Sequence, residues 1–393
     1  MTRARPTVGF LLLSAWLLAA EPVVVPHGRL EVLNGYRAVS VEGTPEQMGT
    51  AYGTLLAPRI REVVRRLIRE GVGEQPEAYE NILRGSRVME RFQPPEFIAE
   101  LKAIAKAASV SYDDLLLLQY FGDVRRCITG PGRSMFCTSF AVLPPNTRGG
   151  VCLVGRNFDY FDNGVGKEAS ILACYRPKGR IPFVSITWAG VINGWTLLNE
   201  KGIVASNNTC FGARSQSLEG ISTCFLLRVV AERAGSVAEG VALIRKGPRA
   251  CGTAILVASG TPPDAALVEF DHEKIAVRRP ERGFVGAANS YFTLYQDGFE
   301  GADPYWGRIK AARDLALGNR GRLDFSWNLA GAEGIPLVGM NLHSATIDAT
   351  NRRLKVAMGA IPACELPYRA FRLTPRGLVA DPAANQTPKE SDK

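Results

Sequence analysis

Residues 134–160 read SMFCTSFAVLPPNTRGGVCLVGRNFDY, and this stretch predicts a β-hairpin. Two runs rich in apolar and β-branched residues flank a turn at 144–150 that contains two prolines, an asparagine and two glycines. Such a hairpin folds the thiol of Cys137, the guanidinium of Arg156 and the carboxylate of Asp159 towards one end of a sheet. A thiol beside a cation and a carboxylate suggests a nucleophile with supporting charges.

The composition is that of a globular protein. The chain has 393 residues, of which 46% are hydrophobic and 22% are charged, enough for one large core or two modest domains. The net charge of +9 favours anionic partners at long range. The basic residues are scattered except along a helical pattern at 59–69, and no nucleic-acid-binding module accompanies them. We therefore do not expect nucleic acid as a partner.

The N-terminus has the pattern of an export signal. Arg3 and Arg5 precede an apolar run from Val8 to Ala20 that is short for a membrane span. We expect residues 1–20 to be a signal peptide that directs the protein to the periplasm or out of the cell. An uncleaved membrane anchor stays open as an alternative, because small residues do not occupy both positions expected before the cleavage site.

Helical and strand-like patterns alternate in blocks. Predicted helices lie at 45–70, 77–91, 96–108, from Asp113 onward, and at 222–234, 236–246 and 303–317. Predicted strands beyond the hairpin lie at 168–174, 182–188, 194–199, 202–208, 253–258, 265–270, 273–279, 343–349 and 353–358. Blocks of antiparallel strands between pairs of helices predict an α+β fold, a four-layer αββα sandwich of two stacked antiparallel sheets with helices on both outer faces.

Several common catalytic signatures are absent from the sequence, namely G-x-S-x-G, H-E-x-x-H, C-x-x-C, the P-loop and G-x-G-x-x-G. The three histidines, His27, His272 and His343, each have an ordinary structural interpretation and supply a zinc site poorly. A cysteine nucleophile would then need another base. The α-amino group of Cys137, with an unperturbed pKa of about 8, can serve once the bond before Cys137 is cut.

The sequence around Cys137 resembles the start of the mature chain in cysteine N-terminal-nucleophile hydrolases. The residues that carry this resemblance are Phe136 to Ser139, Gly155 to Tyr160, Gly43-Thr44-Pro45, Gly49, Gly53, Asn199 to Gly202, Asn208, Asn289 and Arg308. The pattern is similar to that of acid ceramidase and N-acylethanolamine acid amidase, and to the penicillin acyltransferase family, peptidase C45, whose precursors cut themselves at a cysteine. The resemblance implies the N-terminal-nucleophile fold and no metal or organic cofactor.

The resemblance also implies roles at the cleavage site. Cys137 would cut the chain after Phe136 and then act as the nucleophile towards substrate. Asp159 would position the amine of Cys137, and Arg156 would favour the thiolate through its charge. A surface ion pair between Arg156 and Asp159 stays open as the alternative.

Three more residues receive roles in the same way. Asn208 and Asn289 would donate side-chain amide hydrogens to the oxyanion of the tetrahedral intermediate. Arg308 matches a later arginine of the family. Asn207 stays open as a substitute for Asn208. Five aromatic residues would either line an acyl pocket or belong to the core: Phe136, Phe158, Tyr160, Trp188 and Trp195.

The implied cut divides the chain into a mostly helical prosegment or light chain at 21–136, a catalytic heavy chain at 137–380 that stays associated with it, and a flexible tail at 381–393. The expected reaction is cleavage of a linear C–N amide bond in a small-molecule N-acyl amide, through an acyl-thioester on Cys137. Transfer of an acyl group from a thioester substrate to an amine stays open, as does a non-catalytic exported binding protein with the same fold. Transient contact with a membrane surface or lipid is a further expectation.

Overall fold

The computed structural model describes residues 21–129, 135–160, 164–295 and 306–382. The predicted signal peptide, residues 1–20, lies outside these ranges, as does the predicted tail from residue 383 onward. None of the described helices combines the length and the apolar composition that a membrane span requires.

The described helices and strands follow the predicted order closely. The helices are α1 Pro45–Val63, continued by a π-helical turn at Val64–Arg69, α2 Pro76–Glu90, α3 Pro95–Ala108, α4 Tyr112–Thr129, α5 Gly166–Ala169, α6 Thr223–Arg233, α7 Val237–Lys246 and α8 Trp306–Gly318. The strands are β1 Val23–Val25, β2 Gly28–Leu33, β3 Tyr36–Gly43, β4 Met135–Val142, β5 Leu153–Tyr160, β6 Ser170–Pro177, β7 Phe183–Trp188, β8 Thr196–Asn199, β9 Ile203–Thr209, β10 Thr253–Gly260, β11 Pro263–Phe270, β12 Ile275–Arg278, β13 Phe284–Ala287, β14 Asn341–Asp348, β15 Arg353–Met358, β16 Arg369–Thr374 and β17 Gly377–Ala380.

The strands form two sheets. Sheet A has ten strands in the order β1-β2-β3-β6-β7-β8-β9-β10-β11-β12, and sheet B has seven in the order β13-β4-β5-β14-β15-β16-β17. Neighbouring strands are antiparallel, as predicted, except that β3 and β6 pair in parallel. A parallel pair requires a long crossover, and here the crossover runs through α1 to α4 and the β4–β5 hairpin of the other sheet.

Alternation of side chains along the strands explains why the sheets stack. In β6, Leu172 and Cys174 belong to the core between the two sheets, whereas Ala173 packs on the opposite face against helices α1, α3 and α4. In sheet B, Ala141 of β4 faces the shared core, and Phe140 packs outward with α8. A strand with both faces buried holds two apolar layers, so each sheet is covered on both sides. The predicted four-layer αββα sandwich is confirmed.

The mostly helical interpretation of residues 21–136 omitted three strands. β1, β2 and β3 extend one edge of sheet A, so this segment supplies part of a sheet as well as an outer helical layer. Asn34 and Gly35 connect β2 to β3 with φ values of 48° and 85°. Positive φ at two successive residues is typical of a two-residue hairpin, for which Asn-Gly is a preferred sequence.

The C-terminal part also contains strands that the sequence did not predict. β13 begins sheet B beside β4, and β16 and β17 end it. Asp381, the first residue of the predicted tail, is buried and accepts hydrogen bonds from Arg353 and Arg372. The ordered chain therefore includes at least this residue of the predicted tail.

Candidate active site

Cys137 lies on β4 of sheet B, which is one of the two middle layers of the sandwich. Its side chain is fully buried and packs in a cluster with Phe158, Trp188 and Trp195. In the β4–β5 ladder Cys137 is opposite Phe158, and Phe136 is opposite Asp159. The predicted cleavage site is therefore a peptide bond within a continuous, paired strand.

Arg156 is the cation closest to the thiol. Its Nη2 donates a hydrogen bond to Cys137 Sγ at 3.1 Å. Its other nitrogens donate to the carbonyl oxygen of Asn157 at 2.9 Å, to Asn208 Oδ1 at 3.4 Å and to Thr196 Oγ1 at 3.3 Å. Arg156 is completely buried and no described carboxylate bonds to it, which rules out the surface ion pair. If the Cys137 thiol ionised, its negative charge would lie next to this guanidinium.

Two opposing influences act on the thiol. Burial raises the pKa of Cys137 above its ordinary value, and the positive charge of Arg156 acts in the opposite direction. The carboxylate of Asp159 adds a smaller influence that raises the pKa. In the uncut chain the thiol is therefore held protonated, beside the group that would stabilise its anion.

Arg308 of α8 contacts the same residue from the other face of sheet B. Its Nη1 donates to the carbonyl oxygen of Cys137 at 3.1 Å, to Thr138 Oγ1 at 2.7 Å and to Asp159 Oδ2 at 3.4 Å, and its Nη2 donates to Asn289 Oδ1 at 2.8 Å. Asn289 Oδ1 also accepts a hydrogen bond from the backbone N–H of Cys137 at 3.1 Å. Both backbone polar groups of Cys137 are thus held by predicted site residues.

Asp159 and Arg156 point to opposite faces of β5, because they are three residues apart and side chains alternate along a strand. Asp159 Oδ1 accepts a hydrogen bond from Asn341 at 2.8 Å. Burial raises the pKa of Asp159 to about 6, with Arg308 opposing that shift. In the described structure Arg308 bonds both to Asp159 and to the carbonyl oxygen of Cys137, so Asp159 is connected to Cys137 by way of Arg308. The backbone N–H of Cys137 donates to Asn289 Oδ1 and not to Asp159.

The asparagines predicted for the oxyanion have defined partners in the uncut chain. Asn208 Nδ2 donates to Ser139 Oγ at 2.5 Å, and Asn289 Nδ2 donates to the carbonyl oxygen of Thr209 at 2.8 Å. Asn207 points to the other face of β9, where its Oδ1 has no hydrogen-bond partner among the described residues. Only Asn208 lies on the face of the thiol, so alternation along the strand distinguishes the two candidates.

Sequence reasoning missed two residues of this network, Thr196 and His343. Arg156 donates to Thr196 Oγ1, and Thr196 Oγ1 shares a hydrogen bond with His343 Nε2 at 2.9 Å. Burial together with Arg156 lowers the pKa of His343 well below its ordinary value, so the ring is neutral. A chain of hydrogen bonds therefore connects a neutral His343 to Arg156 through Thr196. No sequence signal connects these residues, since one histidine in a late strand is unremarkable.

Asn341 is a third residue that the sequence did not single out. It stands first in β14, two residues before His343, and its amide bridges Asp159 Oδ1 to the backbone N–H of Cys364. The available signal was weak, because five of the eight residues of β14 are polar and nothing in the strand marks Asn341 among them.

Comparison with known proteins agrees with the motifs. Residues 145–327 match the family model described as acyl-coenzyme A:6-aminopenicillanic acid acyl-transferase. The match covers 183 of the 393 residues and shows that this part of the chain is similar to that family. The segment that matches this family contains Arg156, Asp159, Asn208, Asn289 and Arg308, whereas Cys137 precedes it.

Two curated proteins are similar to the chain. An uncharacterized protein of Archaeoglobus fulgidus is 24% identical over 279 residues, which cover 64% of this chain and 47% of that protein. The N-acylethanolamine-hydrolyzing acid amidase of Oryctolagus cuniculus is 27% identical over 137 residues, which cover 34% of this chain and 35% of that protein. The chain thus spans less than half the length of the curated relatives that it matches.

Solved structures are also similar to the chain. The Caenorhabditis elegans N-acylethanolamine-hydrolyzing acid amidase ortholog has a TM-score of 0.46 and 17% identity, covering 55% of this chain and 93% of that one. A conjugated bile acid hydrolase variant from Clostridium perfringens has a TM-score of 0.42 and 14% identity, with 56% and 89% covered. Penicillin V acylase from Agrobacterium tumefaciens has a TM-score of 0.38 and 14% identity, with 56% and 83% covered.

A cavity of about 840 Å³ lies on the helical side of the aromatic residues that pack around Cys137. Four of the five aromatic residues singled out in the sequence line it: Phe158, Tyr160, Trp188 and Trp195. Phe136 packs instead against Phe211, with ring centroids 5.7 Å apart. The remaining walls come from the π-helical turn after α1, from residues 70–75, from α2 and α4, and from Val191, Asn207, Ser222 and Cys224. The cavity therefore lies between residues 21–129 and the two sheets.

The charged residues of this cavity are mixed in sign. Arg66, Arg125 and Arg126 lie on it together with Glu70 and Asp123. Arg126 and Asp123 pair with each other at 2.5 Å. An apolar inner wall with polar groups further out is the usual construction of a small-molecule site.

Proposed function

We propose that the protein is a self-processing cysteine N-terminal-nucleophile enzyme that cleaves the C–N bond of a linear amide through Cys137. The observation that carries the proposal is the convergence of three separate elements on one residue. Arg156 binds its thiol, Asn289 its backbone nitrogen and Arg308 its backbone oxygen. A cysteine that only filled the core would not need hydrogen bonds from two arginines on different elements.

Processing would begin at the peptide bond before Cys137. The thiol attacks the carbonyl carbon of Phe136, the C–N bond breaks, and the thiol proton passes to the departing nitrogen of Cys137. Water then hydrolyses the thioester and leaves a carboxylate on Phe136 and a free amine and thiol on Cys137. Arg156 stabilises the negative charge on sulfur as the attack begins.

In the processed enzyme the amine would be the base. It takes the position of the present amide nitrogen, against Asn289 Oδ1, and accepts the thiol proton as sulfur attacks the substrate. Asp159 holds Arg308 in place, and we assign oxyanion binding to Asn208 because it lies on the thiol's face of its strand.

The fate of the acyl-enzyme would decide between hydrolysis and transfer. Water as acceptor gives a hydrolase, and an amine as acceptor gives an acyltransferase. The aromatic wall formed by Phe158, Trp188 and Trp195 suits an apolar acyl group. The matching family description names an acyl-transferase, and the rabbit relative's name describes hydrolysis of N-acylethanolamines. Both reactions use the same thioester on Cys137.

Intact-mass analysis of the purified protein tests the processing step. We expect the parent to yield two chains, the heavier beginning at Cys137, and Cys137→Ala to stay a single chain. Cys152→Ala, which removes a buried cysteine from the same hairpin, should still be cut. Melting curves show that the uncut variant is folded. A folded Cys137→Ala protein that was still cut would sink the assignment.

A panel of N-acyl amides tests turnover. Release of free amine is measured with and without an acyl-thioester donor and an added amine, which separates hydrolysis from transfer. Cys137→Ala must lose both activities. A processed parent that turned over none of the panel would support the non-catalytic binding protein. Export remains part of this proposal, and N-terminal sequencing of protein recovered outside the cytoplasm tests it.

A further inference from the structure

A second pair of cysteines lies outside the candidate active site. Cys127 stands in the last turn of α4, and Cys251 lies just before β10. Their sulfur atoms are 3.3 Å apart. A disulfide has an S–S length of about 2.05 Å, so the sulfur atoms must approach by only about 1 Å to bond.

The chain segments on either side of this pair are already fixed to each other. Arg126 donates to the carbonyl oxygen of Gly252 at 2.8 Å, and Gln216 donates to the carbonyl oxygen of Arg126 at 3.3 Å. The Cys251 thiol is directed at the carbonyl oxygen of Asp123, 3.3 Å away. Because these bonds hold α4 against the start of β10, the two thiols stay opposed without help from a covalent bond.

The two thiols differ in access. Cys127 is half-buried, whereas Cys251 is fully buried. An external oxidant therefore reaches Cys127 first. Burial raises the pKa of the Cys251 thiol well above its ordinary value, and the nearby guanidinium of Arg126 acts in the opposite direction. This arrangement gives one attacking thiol and one resolving thiol.

We propose that Cys127 and Cys251 are a modification site that forms a disulfide by exchange with a small-molecule disulfide such as glutathione disulfide. Cys127 attacks the oxidant, which releases one glutathione and leaves a mixed disulfide. Cys251 then attacks the sulfur of Cys127 and releases the second glutathione. The two protein thiols lose two electrons and two protons, and the oxidant gains them as two thiols.

The position of this bond gives it a consequence. Cys127 precedes the Phe136–Cys137 peptide bond, and Cys251 follows it. If the proposed self-cleavage takes place, the disulfide becomes a covalent link between light and heavy chains. That consequence rests on the proposed function, whereas formation of the disulfide does not.

Peptide mapping of the full chain tests the disulfide itself. The protein is reduced, oxidised with glutathione disulfide, treated with N-ethylmaleimide and digested with trypsin. We expect residues 127–133 linked to residues 250–274, and the same link in the uncut Cys137→Ala chain. Cys174→Ala, which removes a buried thiol elsewhere, should keep the link. Alkylation of both Cys127 and Cys251 after oxidation, or pairing of either with another cysteine, overturns the proposal.

A second readout does not depend on mapping. Oxidation should raise the melting temperature of the Cys137→Ala chain by several degrees, and reduction should reverse the rise. When Cys251→Ser or Cys127→Ser is added to this chain, its melting temperature should be the same under both conditions. A rise of equal size in either variant would contradict the assignment.

Electrophoresis of the parent separates the two proposals. One band without reductant and two bands with it support both cleavage and the cross-link. Two bands under both conditions contradict the cross-link alone. A single band under both conditions, with the linked peptides present in the digest, supports the cross-link and contradicts self-cleavage alone.

Discussion

Arg156 and Arg228 are two fully buried arginines with opposite kinds of partner. Arg228 donates to the carboxylates of Glu100 at 2.6 Å and Glu232 at 2.8 Å. Arg156 donates to a hydroxyl, a carbonyl, an amide oxygen and the Cys137 thiol, which are all neutral. Burying a cation is costly without a counterion, and Arg156 has no carboxylate bonded to it among the described residues, which is why we propose that an anion forms beside it.

The two arginines also connect different parts of the chain. Arg228 lies on α6 and meets Glu100 of α3, with the ring of Phe97 4.5 Å from its guanidinium carbon. It therefore fastens residues 21–129 to the later part of the chain. Arg156 bonds to Cys137 and Asn157 of its own hairpin, and also to Thr196 and Asn208 of sheet A. The two arginines thus differ in charge balance and in location, and each can be replaced separately.

The largest effect on stability is expected from Glu100→Gln. The change removes one carboxylate from a fully buried cation, and breaking such a pair costs about 3 kcal/mol or more of unfolding free energy. Urea unfolding in the uncut Cys137→Ala background measures this loss. Glu80→Gln, an exposed substitution on α2, should change stability by less than about 0.5 kcal/mol. A loss below about 1 kcal/mol for Glu100→Gln would show that Arg228 does not depend on Glu100.

Arg156→Met should act on the chemistry instead. Loss of the group that stabilises the thiolate should slow self-cleavage and turnover by roughly 10²–10³-fold, with a smaller loss of stability than in Glu100→Gln. In self-cleavage, where the amine does not yet exist, the acid limb of the rate should move to higher pH, because the charge that lowers the thiol pKa is gone. Arg156→Lys keeps the charge without the planar fork and should lie between parent and Met variant. An unchanged cleavage rate in Arg156→Met would contradict this contrast.

Asp159→Asn should change how stability depends on pH. The folded chain holds the Asp159 proton up to about pH 6, whereas the unfolded chain releases it near 3.8. Between these values the folded state binds more protons, so ionisation of Asp159 lowers the unfolding free energy as pH rises from about 4 to 6. Asparagine cannot ionise and should flatten this fall.

Unfolding of Asp159→Asn and its parent at a series of pH values, both in the Cys137→Ala background, measures the difference. The stability of the variant relative to the parent should improve as pH rises through that window and stay level above about pH 7. A relative stability that declined through the same window would mean that pairing with Arg308 outweighs the burial of Asp159.

The smallest effect is expected from His343→Phe. The phenylalanine keeps the stacking on Phe158, whose ring centroid lies 5.3 Å from that of His343, but accepts no hydrogen bond from Thr196. We expect kcat to fall by about tenfold, typical of one lost orienting bond, with KM little changed. His343→Gln restores an acceptor and should recover part of the loss. If His343→Phe shifted a limb of the pH profile, His343 would be a titrating group and not a positioning one.

Local pattern was sufficient for most of the fold. The hairpin around Cys137 was predicted because apolar runs and a Pro- and Gly-rich turn act at short range, and the same holds for helices α1 to α4. The hairpin at Asn34-Gly35 carries a strong short-range turn signal, but the interpretation of that segment was based on the long helices that follow it. The parallel pairing of β3 with β6 depends on contacts distant in sequence.

The candidate site could be predicted only in part. Because side chains alternate along a strand, Arg156 and Asp159 lie on opposite faces of β5, and Asn207 and Asn208 on opposite faces of β9. This part of the geometry could be predicted from the sequence. Arg308 could be placed only by resemblance, because no local rule brings a helix residue to Cys137. The same limit applies to His343, whose bond to Thr196 depends on how two sheets stack.

The pairing of β3 with β6 makes the N-terminal segment part of sheet A. Six residue pairs join these strands, and β6 is buried along most of its length. A chain that lost residues 21–136 would expose β6 as a long apolar edge strand, and unpaired edges of that kind recruit strands from other molecules. A cut after Phe136 would therefore turn the β3–β6 pair into an interface between two polypeptides. Continued pairing at this interface would protect the heavy chain from aggregation.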